Sequence, residues 1–297
     1  MIGFAESFLA WTGATLIPAF AGLLFITGAN KLVDRLVFAG HRLSRLLRHR
    51  PASVPLDNRV RIDEKYLAAF AFGIFLWFFV DTISGSATLD VNSGFGGGSA
   101  QVTVVILFLA GLLFFFSVDR NRNLFSAESA TGKYGVVIPF LVAAAVGIHG
   151  LGEGWDYGHH VYITSSTNLL DTFGGINAGV AYVLHKALEP MMIGACYAFY
   201  TKGQTRNGAR WIRDTFLLSI VFSLASLVGA TAGYLVSLDT TYFFAMGTGT
   251  SIYAAMRLVG PLFAPSQITK SNYSVLIAVA LLVGFIAIYF AALFHSG

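Results

Sequence analysis

The chain of 297 residues contains a single cysteine, Cys196, and few charged residues. One cysteine excludes an intrachain disulfide and any metal cluster held by several thiolates. Only 11% of the residues are charged, whereas soluble domains contain about a quarter. Hydrophobic residues make up 56% of the chain. This composition excludes an ordinary soluble domain and predicts an integral membrane protein.

Basic residues are missing from every second connection between the apolar segments. Eight segments approach the length of about 20 apolar residues that a membrane-spanning helix needs: 7–28, 66–86, 101–118, 135–158, 176–200, 214–237, 241–263 and 272–294. Of the 19 Lys and Arg residues, all but Lys186 lie in or near the loops after odd-numbered segments, with Arg257 at or near the seventh loop. Because cytoplasmic loops collect basic residues, both termini are predicted to be extracytoplasmic.

We therefore predict one polytopic domain over residues 1–297, an all-α integral membrane protein with eight transmembrane helices. It would be a multi-pass protein of the cell membrane, plasma or inner. The basic segment 29–65 is predicted to be a cytoplasmic loop that faces lipid headgroups. The net charge of +4 follows from this topology and does not indicate nucleic-acid binding. The amino terminus carries Glu6 and no basic residue, which argues against a cleaved signal peptide.

Ionisable side chains inside the predicted spans are few, and most of them lie in the fourth and fifth segments. Each costs roughly 2.5–3.5 kcal/mol on insertion scales, so a functional role is the default interpretation. Four of them share an arc of about 60° on one helix face: His149, Glu153, Asp156 and His160. In the fifth segment, His185 and Glu189 repeat the spacing of one helical turn.

These residue types indicate a metal site. Imidazole nitrogen and carboxylate oxygen together suit Zn²⁺, Fe²⁺ or Mn²⁺, and a site without thiolates does not suit copper. A hydrogen-bonded core pair is the alternative for each His–Glu spacing, but two such pairs on consecutive spans favour the metal site. Glycines at 150, 152 and 154, and Pro190, should interrupt the two helices and free backbone carbonyls beside a cavity.

The same two segments resemble the ZIP (Zrt/Irt-like) family of divalent-metal transporters. That family's fourth helix carries a His-Asn-x-x-(Glu/Asp)-Gly motif, and the chain reads HGLGEG over 149–154. The family's fifth helix carries His-x-x-x-Glu, and the chain reads HKALE over 185–189. Eight spans with outer termini are also similar to the family. The resemblance implies a homodimer and a metal site between the fourth and fifth helices.

The resemblance implies one metal ion, held by four ligands: His149, Glu153, His185 and Glu189. Many family members bind a second metal, but the matching positions here offer none of its ligands: Gly150, Lys186 and Ser226. The ammonium of Lys186 would take the place of the second cation and pair with Glu189 or Glu153.

Two further expectations concern the path of the ion. Asp156 and His160 would form an outer entrance site. In the second segment, Ile74 and Phe75 stand where some members offer a ligand, and these apolar residues would contribute only a hydrophobic gate.

The resulting hypothesis is a transporter, not an enzyme, that admits Zn²⁺ or Fe²⁺ to the cytoplasm by alternating access. Because binding needs deprotonated His and carboxylate ligands, uptake should fall at acid pH. One alternative is a non-transporting metal-binding subunit or sensor, since a fixed charge on Lys186 beside the path would block conduction. A second alternative is an intramembrane metal-dependent hydrolase. The HExxH spacing is missing, because Glu153 follows His149 by four residues, and this disfavours the hydrolase.

Overall fold

The computed structural model describes residues 3–48, 62–86, 99–119, 135–164, 168–201, 207–263 and 273–293. Within these ranges the chain forms ten α-helices and one short 3₁₀ helix, Asp171–Phe173, and no β-strand. The α-helices are α1 (Phe4–Arg48), α2 (Glu64–Ser86), α3 (Ser99–Val118), α4 (Val137–Gly147), α5 (Gly150–Ile163), α6 (Ile176–Leu188), α7 (Pro190–Tyr200), α8 (Gly208–Leu235), α9 (Thr241–Phe263) and α10 (Tyr273–Ala292). The prediction of an all-α protein is confirmed.

The apolar segments and the helices coincide, with one large difference at the amino terminus. Helix α1 continues to Arg48, twenty residues beyond the predicted end of the first segment, so the first part of the predicted loop 29–65 is helical. No proline follows Pro18 until Pro51, and a helix usually ends before the residue that precedes a proline. Residues 49–61 of the predicted loop lie outside the described ranges.

The fourth and fifth segments are each divided into two helices. Helices α4 and α5 are bent by 40° at Ile148 and His149. Helix α6 ends at Leu188 and α7 begins at Pro190, so that Glu189 stands between them. Proline has no N–H to donate and its ring meets the carbonyl one turn earlier, which ends a regular helix. The division at Pro190 lies where the proline predicted it, whereas Gly150, Gly152 and Gly154 lie inside α5, directly after the bend, so the predicted interruption between the ligands is wrong.

In the part of the chain that the structure describes, four helices are long and apolar enough to cross a membrane: Phe4–Ala29, Glu64–Ile83, Gly208–Leu235 and Ser274–Ala292. The bent pair α4–α5 makes a fifth if it is counted as one span. Large apolar side chains also stay exposed on the outer helices, such as Ile106 (58%) and Leu113 (61%) on α3. Exposed apolar surface of this extent suits a lipid environment. The structure thus supports a membrane protein.

Glycines bring pairs of helices to backbone contact. Gly73 on α2 faces α10, and Gly284 on α10 faces α2. A Cβ added to Gly73 would lie 1.9 Å from the carbonyl oxygen of Leu281, and one added to Gly284 would lie 2.0 Å from that of Phe70. A Cβ at Gly154 on α5 would lie 2.0 Å from the carbonyl oxygen of Ser226 on α8. Small residues at such crossings allow close packing of helices in membranes. Helices α1 and α6 join the α5–α8 pair, α3 and α9 join the α2–α10 pair, and α4 and α7 pack between the two groups.

Candidate metal site

Three of the four predicted ligands converge where the two divided helices meet. His149, Glu153 and Glu189 each offer one ligand atom, and these atoms lie within 4.8 Å of one another. Among the residues that the structure describes, no other group of three or more His, Cys, Asp or Glu side chains has this spacing. His149 and Glu189 are buried, whereas the Glu153 side chain keeps 22% of its surface exposed. The group therefore lies inside the bundle with Glu153 at its accessible edge.

The helix divisions explain why these three side chains meet. His149 stands at the bend before α5, and Glu153 lies in the first turn of α5. Glu189 is the residue directly before α7. Because the N-terminus of a helix carries a partial positive charge, both carboxylates lie at helix ends that stabilise negative charge. Divided helices that meet near the middle of a bundle are a common way to build an ion site in transporters.

The imidazole of His149 is held in one orientation. Its Nδ1–H donates a hydrogen bond to the backbone carbonyl of Val146, so Nε2 carries the lone pair. Phe78 of α2 packs its ring against the imidazole, with 4.5 Å between ring centroids and an interplanar angle of 83°. Gly247 of α9 closes another side, because an added Cβ would lie 2.8 Å from both Cα and Cβ of His149. These two contacts come from the α2–α10 group, and the ring of Phe222 on α8, with 6.3 Å between centroids, adds one from the α5–α8 group.

The nitrogen of His149 lies at the spacing of metal ligands from an oxygen of each glutamate. His149 Nε2 lies 3.6 Å from Glu153 Oε1 and 3.4 Å from Glu189 Oε1. Metal–ligand bonds of about 2.1 Å at tetrahedral angles would place neighbouring ligand atoms about 3.4 Å apart. One nitrogen and two carboxylate oxygens in this arrangement suit Zn²⁺, Fe²⁺ or Mn²⁺.

The ammonium of Lys186 lies among the same side chains. Nζ is 2.7 Å from Glu153 Oε2, 2.8 Å from Glu189 Oε2 and 3.2 Å from His149 Nε2. Lys186 is only 1% exposed. The lysine thus pairs with both glutamates and also contacts the histidine. We call His149, Glu153, Lys186 and Glu189 the Lys186 cluster; with a neutral imidazole its formal charge is −1.

His185, the fourth predicted ligand, lies outside this group. It is buried, with 6% of its surface exposed, but its ring nitrogens do not share the 4.8 Å spacing of the other three. The carboxylate of Asp81 on α2 interacts electrostatically with His185 and also with His149, Glu153 and Glu189. Asp81 was given no place near the site from the sequence. The signal that could have found it is a single acid after the long apolar stretch of α2.

The predicted entrance residues are on one face of α5 but do not form a compact site. Asp156 is exposed. The His160 Nε2 atom lies 3.4 Å from the backbone carbonyl of Asp171, and its Nδ1 atom lies 3.5 Å from the Thr164 hydroxyl. The two entrance residues lie one turn apart. Among the described residues, no third His, Cys, Asp or Glu side chain forms a ligand group of 4.8 Å spacing with them.

The positions that matched the second metal site are filled by close packing and hydrogen bonds. An added Cβ at Gly150 would lie 3.2 Å from Cβ of Ser226. The Ser226 hydroxyl accepts a hydrogen bond from Trp11 Nε1 at 3.1 Å and lies 3.5 Å from the Tyr182 hydroxyl. The Trp11 ring stacks on Tyr182 with 4.2 Å between centroids. An aromatic and hydroxyl network therefore occupies this region.

Helix α2 contributes a different residue from those expected. Ile74 and Phe75 are buried in the apolar core, with 0% and 4% of their surfaces exposed. It is Phe78, one turn later, that packs against His149. The sequence places the three residues on neighbouring positions of one helix, but only the rotation of α2 decides which of them reaches the imidazole.

A second buried ion pair joins α3 to α9. Arg257 is fully buried, and its Nε donates to Asp119 Oδ2 at 2.9 Å while Nη2 contacts the same oxygen. The Tyr253 hydroxyl donates to that oxygen at 2.6 Å. We call Asp119, Tyr253 and Arg257 the Arg257 cluster. Arg257 lies within α9, six residues before the helix ends, and thus inside the predicted seventh segment 241–263.

The chain matches no protein-family model and no curated protein. The ZIP resemblance therefore rests on the sequence alone, above all on the two motifs.

Proposed function

We propose that this chain is a ZIP-like carrier that moves a divalent metal ion, Zn²⁺ or Fe²⁺, toward the cytoplasm. The observation that supports the proposal is the convergence of His149 Nε2, Glu153 Oε1 and Glu189 Oε1 at metal-ligand spacing between two divided helices. The metal ion is the cargo, and the three side chains are its ligands. Water completes the coordination shell, as in metal sites with three protein ligands.

The proposal includes eight spans, extracytoplasmic termini and a homodimer in the cell membrane. The distribution of basic residues supports the topology, and the family resemblance supports the dimer. His149 contacts Phe78 and Gly247 in one helix group and Phe222 in the other, which supports alternating access, because a relative movement of the groups would change the surroundings of the ligand. Glu153 at the accessible edge is the first ligand that the ion meets.

The experiment is metal uptake into proteoliposomes that contain the purified full-length protein. The double substitution His149→Ala and Glu189→Ala removes two of the three ligands and should abolish uptake of Zn²⁺ or Fe²⁺. His159→Ala is the matched control, because it removes a half-buried histidine of α5 that lies outside the ligand group. Uptake that is unchanged in the double variant would overturn the proposal.

A non-transporting metal-binding subunit or sensor is the second candidate, and one observation favours it. The Lys186 ammonium already neutralises part of the carboxylate charge at 2.7 and 2.8 Å. A cation held there permanently would block the passage of a metal ion, so the site could bind a metal without transporting it. Purified protein that binds Zn²⁺ through His149 and Glu189, gives no uptake and co-purifies with a fixed partner would establish this candidate over the carrier.

A further inference from the structure

We propose that Lys186 is the resident cation of the candidate site and that a divalent ion binds there only by displacing its ammonium. The inference rests on the proposed function, because it concerns the same ligands. It makes Lys186 the residue that sets the affinity for the metal. Binding is then an exchange of one cation for another.

The lone pair of His149 is the first argument. Nδ1–H of the imidazole is engaged by the Val146 carbonyl, so Nε2 is the only ring atom that can bind a metal. The Lys186 ammonium lies 3.2 Å from Nε2, at hydrogen-bond distance. A ring nitrogen has one lone pair, which cannot accept this hydrogen bond and coordinate a metal at the same time. The ammonium must leave Nε2 before the metal can bind.

Charge is the second argument. The two glutamates carry a charge of −2, which a divalent ion balances, whereas the cluster including Lys186 has only −1. An ammonium that kept its contacts with the Oε2 atoms would stay within about 5 Å of a metal bound to Nε2 and the Oε1 atoms. Two cations at that distance in a buried site repel each other strongly.

The surroundings offer the displaced ammonium a place to go. Nζ lies 5.6 Å from the centre of the Tyr182 ring and 5.4 Å from that of Phe222, within reach of cation–π attraction. Beyond the Tyr182 ring are its hydroxyl and the hydroxyl of Ser226, which are 3.5 Å apart. Both oxygens can accept hydrogen bonds from an ammonium. A rotation of the Lys186 side chain toward them would clear the ligand group.

The test is calorimetric titration of the purified full-length protein with ZnCl₂. Lys186→Gln removes the resident cation, and we expect it to bind Zn²⁺ at least tenfold more tightly than the natural chain. Arg210→Gln is the matched control, since it removes one positive charge from an exposed position of α8 and should leave the affinity unchanged. Equal or weaker binding by Lys186→Gln, with Zn²⁺ still bound by the natural chain, would overturn the inference alone. Failure of both chains to bind Zn²⁺ would overturn the proposed function as well.

A second measurement needs no substitution and serves if Lys186→Gln does not fold. A crystal structure of the natural chain soaked with Zn²⁺, with the ion located by its anomalous signal, gives the position of Nζ directly. We expect the ion on His149 Nε2 and both glutamates, with Nζ moved out of hydrogen-bond distance from Nε2. An ion on these ligands with the contact between Nζ and Nε2 intact would contradict the exchange.

Discussion

The Lys186 cluster and the Arg257 cluster both bury a cation between helices, but they hold it in different ways. The ammonium of Lys186 is shared among two carboxylates and an imidazole, each on a separate turn. The guanidinium of Arg257 directs two nitrogens at one oxygen of Asp119, and Tyr253 donates to the same oxygen. The first cluster has a surplus of negative charge, and the second is balanced by a single carboxylate.

The difference indicates that one cation is exchangeable and the other is structural. An ammonium is a compact point charge on a flexible stem, so another cation can replace it. A guanidinium is a planar fork whose fixed directions match one carboxylate, and no metal ion reproduces them. The Arg257 cluster also ties α7 to α9, since the Tyr200 hydroxyl donates to the Arg257 carbonyl at 3.0 Å. We therefore assign function to the Lys186 cluster and stability to the Arg257 cluster.

The largest expected effect tests whether the Arg257 cluster depends on its single carboxylate more than the Lys186 cluster depends on either of its two. Asp119→Asn should lower the free energy of unfolding by about 3–5 kcal/mol, because it removes one partner of a fully buried ion pair. Glu153→Gln should cost much less, since Lys186 keeps Glu189 and His149 as partners and Glu153 is partly exposed. Thermal denaturation of both variants in the same detergent measures the difference. Equal losses would mean that the two clusters do not differ in this way.

An intermediate effect is expected where α9 packs against His149. Gly247→Ala should cost about 1–3 kcal/mol, because the new methyl group meets backbone and Cβ atoms that cannot move aside. It should also weaken Zn²⁺ binding by displacing the imidazole. Gly13→Ala is the control, since the nearest atom to its added Cβ is the Cδ1 of Ile17 at 4.0 Å. Unchanged Zn²⁺ affinity in Gly247→Ala would show that this contact does not position the ligand.

The smallest effect concerns one hydrogen bond of the Arg257 cluster. Tyr253→Phe removes the hydroxyl that donates to Asp119 at 2.6 Å, and should cost about 1 kcal/mol while Zn²⁺ binding stays unchanged. Tyr242→Phe, at the other end of α9, is the matched control. The denaturation midpoint and the calorimetric affinity should be measured on the same preparations. A loss of Zn²⁺ affinity in Tyr253→Phe would mean that the two clusters are coupled, contrary to the comparison.

Much of the local structure could be predicted from the sequence. Apolar runs predicted the helices because a long apolar segment in a membrane must satisfy its own backbone hydrogen bonds. Pro190 predicted the end of α6, since it cannot donate the next hydrogen bond. The spacing of one turn predicted that His149 and Glu153 share a face, because residues four apart are neighbours on a helix.

The resemblance implied that Lys186 pairs with Glu189 or Glu153, but the separation of His185 from the ligand group could not be predicted in the same way. Lys186 and His185 are adjacent on α6, so their side chains point about 100° apart. Only the rotation of α6 within the bundle decides which of them faces the glutamates. The structure places Lys186 among them and leaves the ring nitrogens of His185 outside the ligand group. The pairing of Arg257 with Asp119 is similar, since the two residues are 138 positions apart along the chain.

The sequence by itself determined the composition of a membrane protein, the helical segments, the interruption at Pro190 and the residue types that suit a divalent ion. These properties depend on single residues and on spacing within one helix. The tertiary structure decided which helices are neighbours and how each is rotated, through glycine contacts that let backbones approach to atomic distance. It therefore decided that Nε2 of His149 lies at hydrogen-bond distance from the ammonium of Lys186. Distances between atoms on different helices depend on how the helices pack. The spacing of residues within a single helix carries no information about that packing.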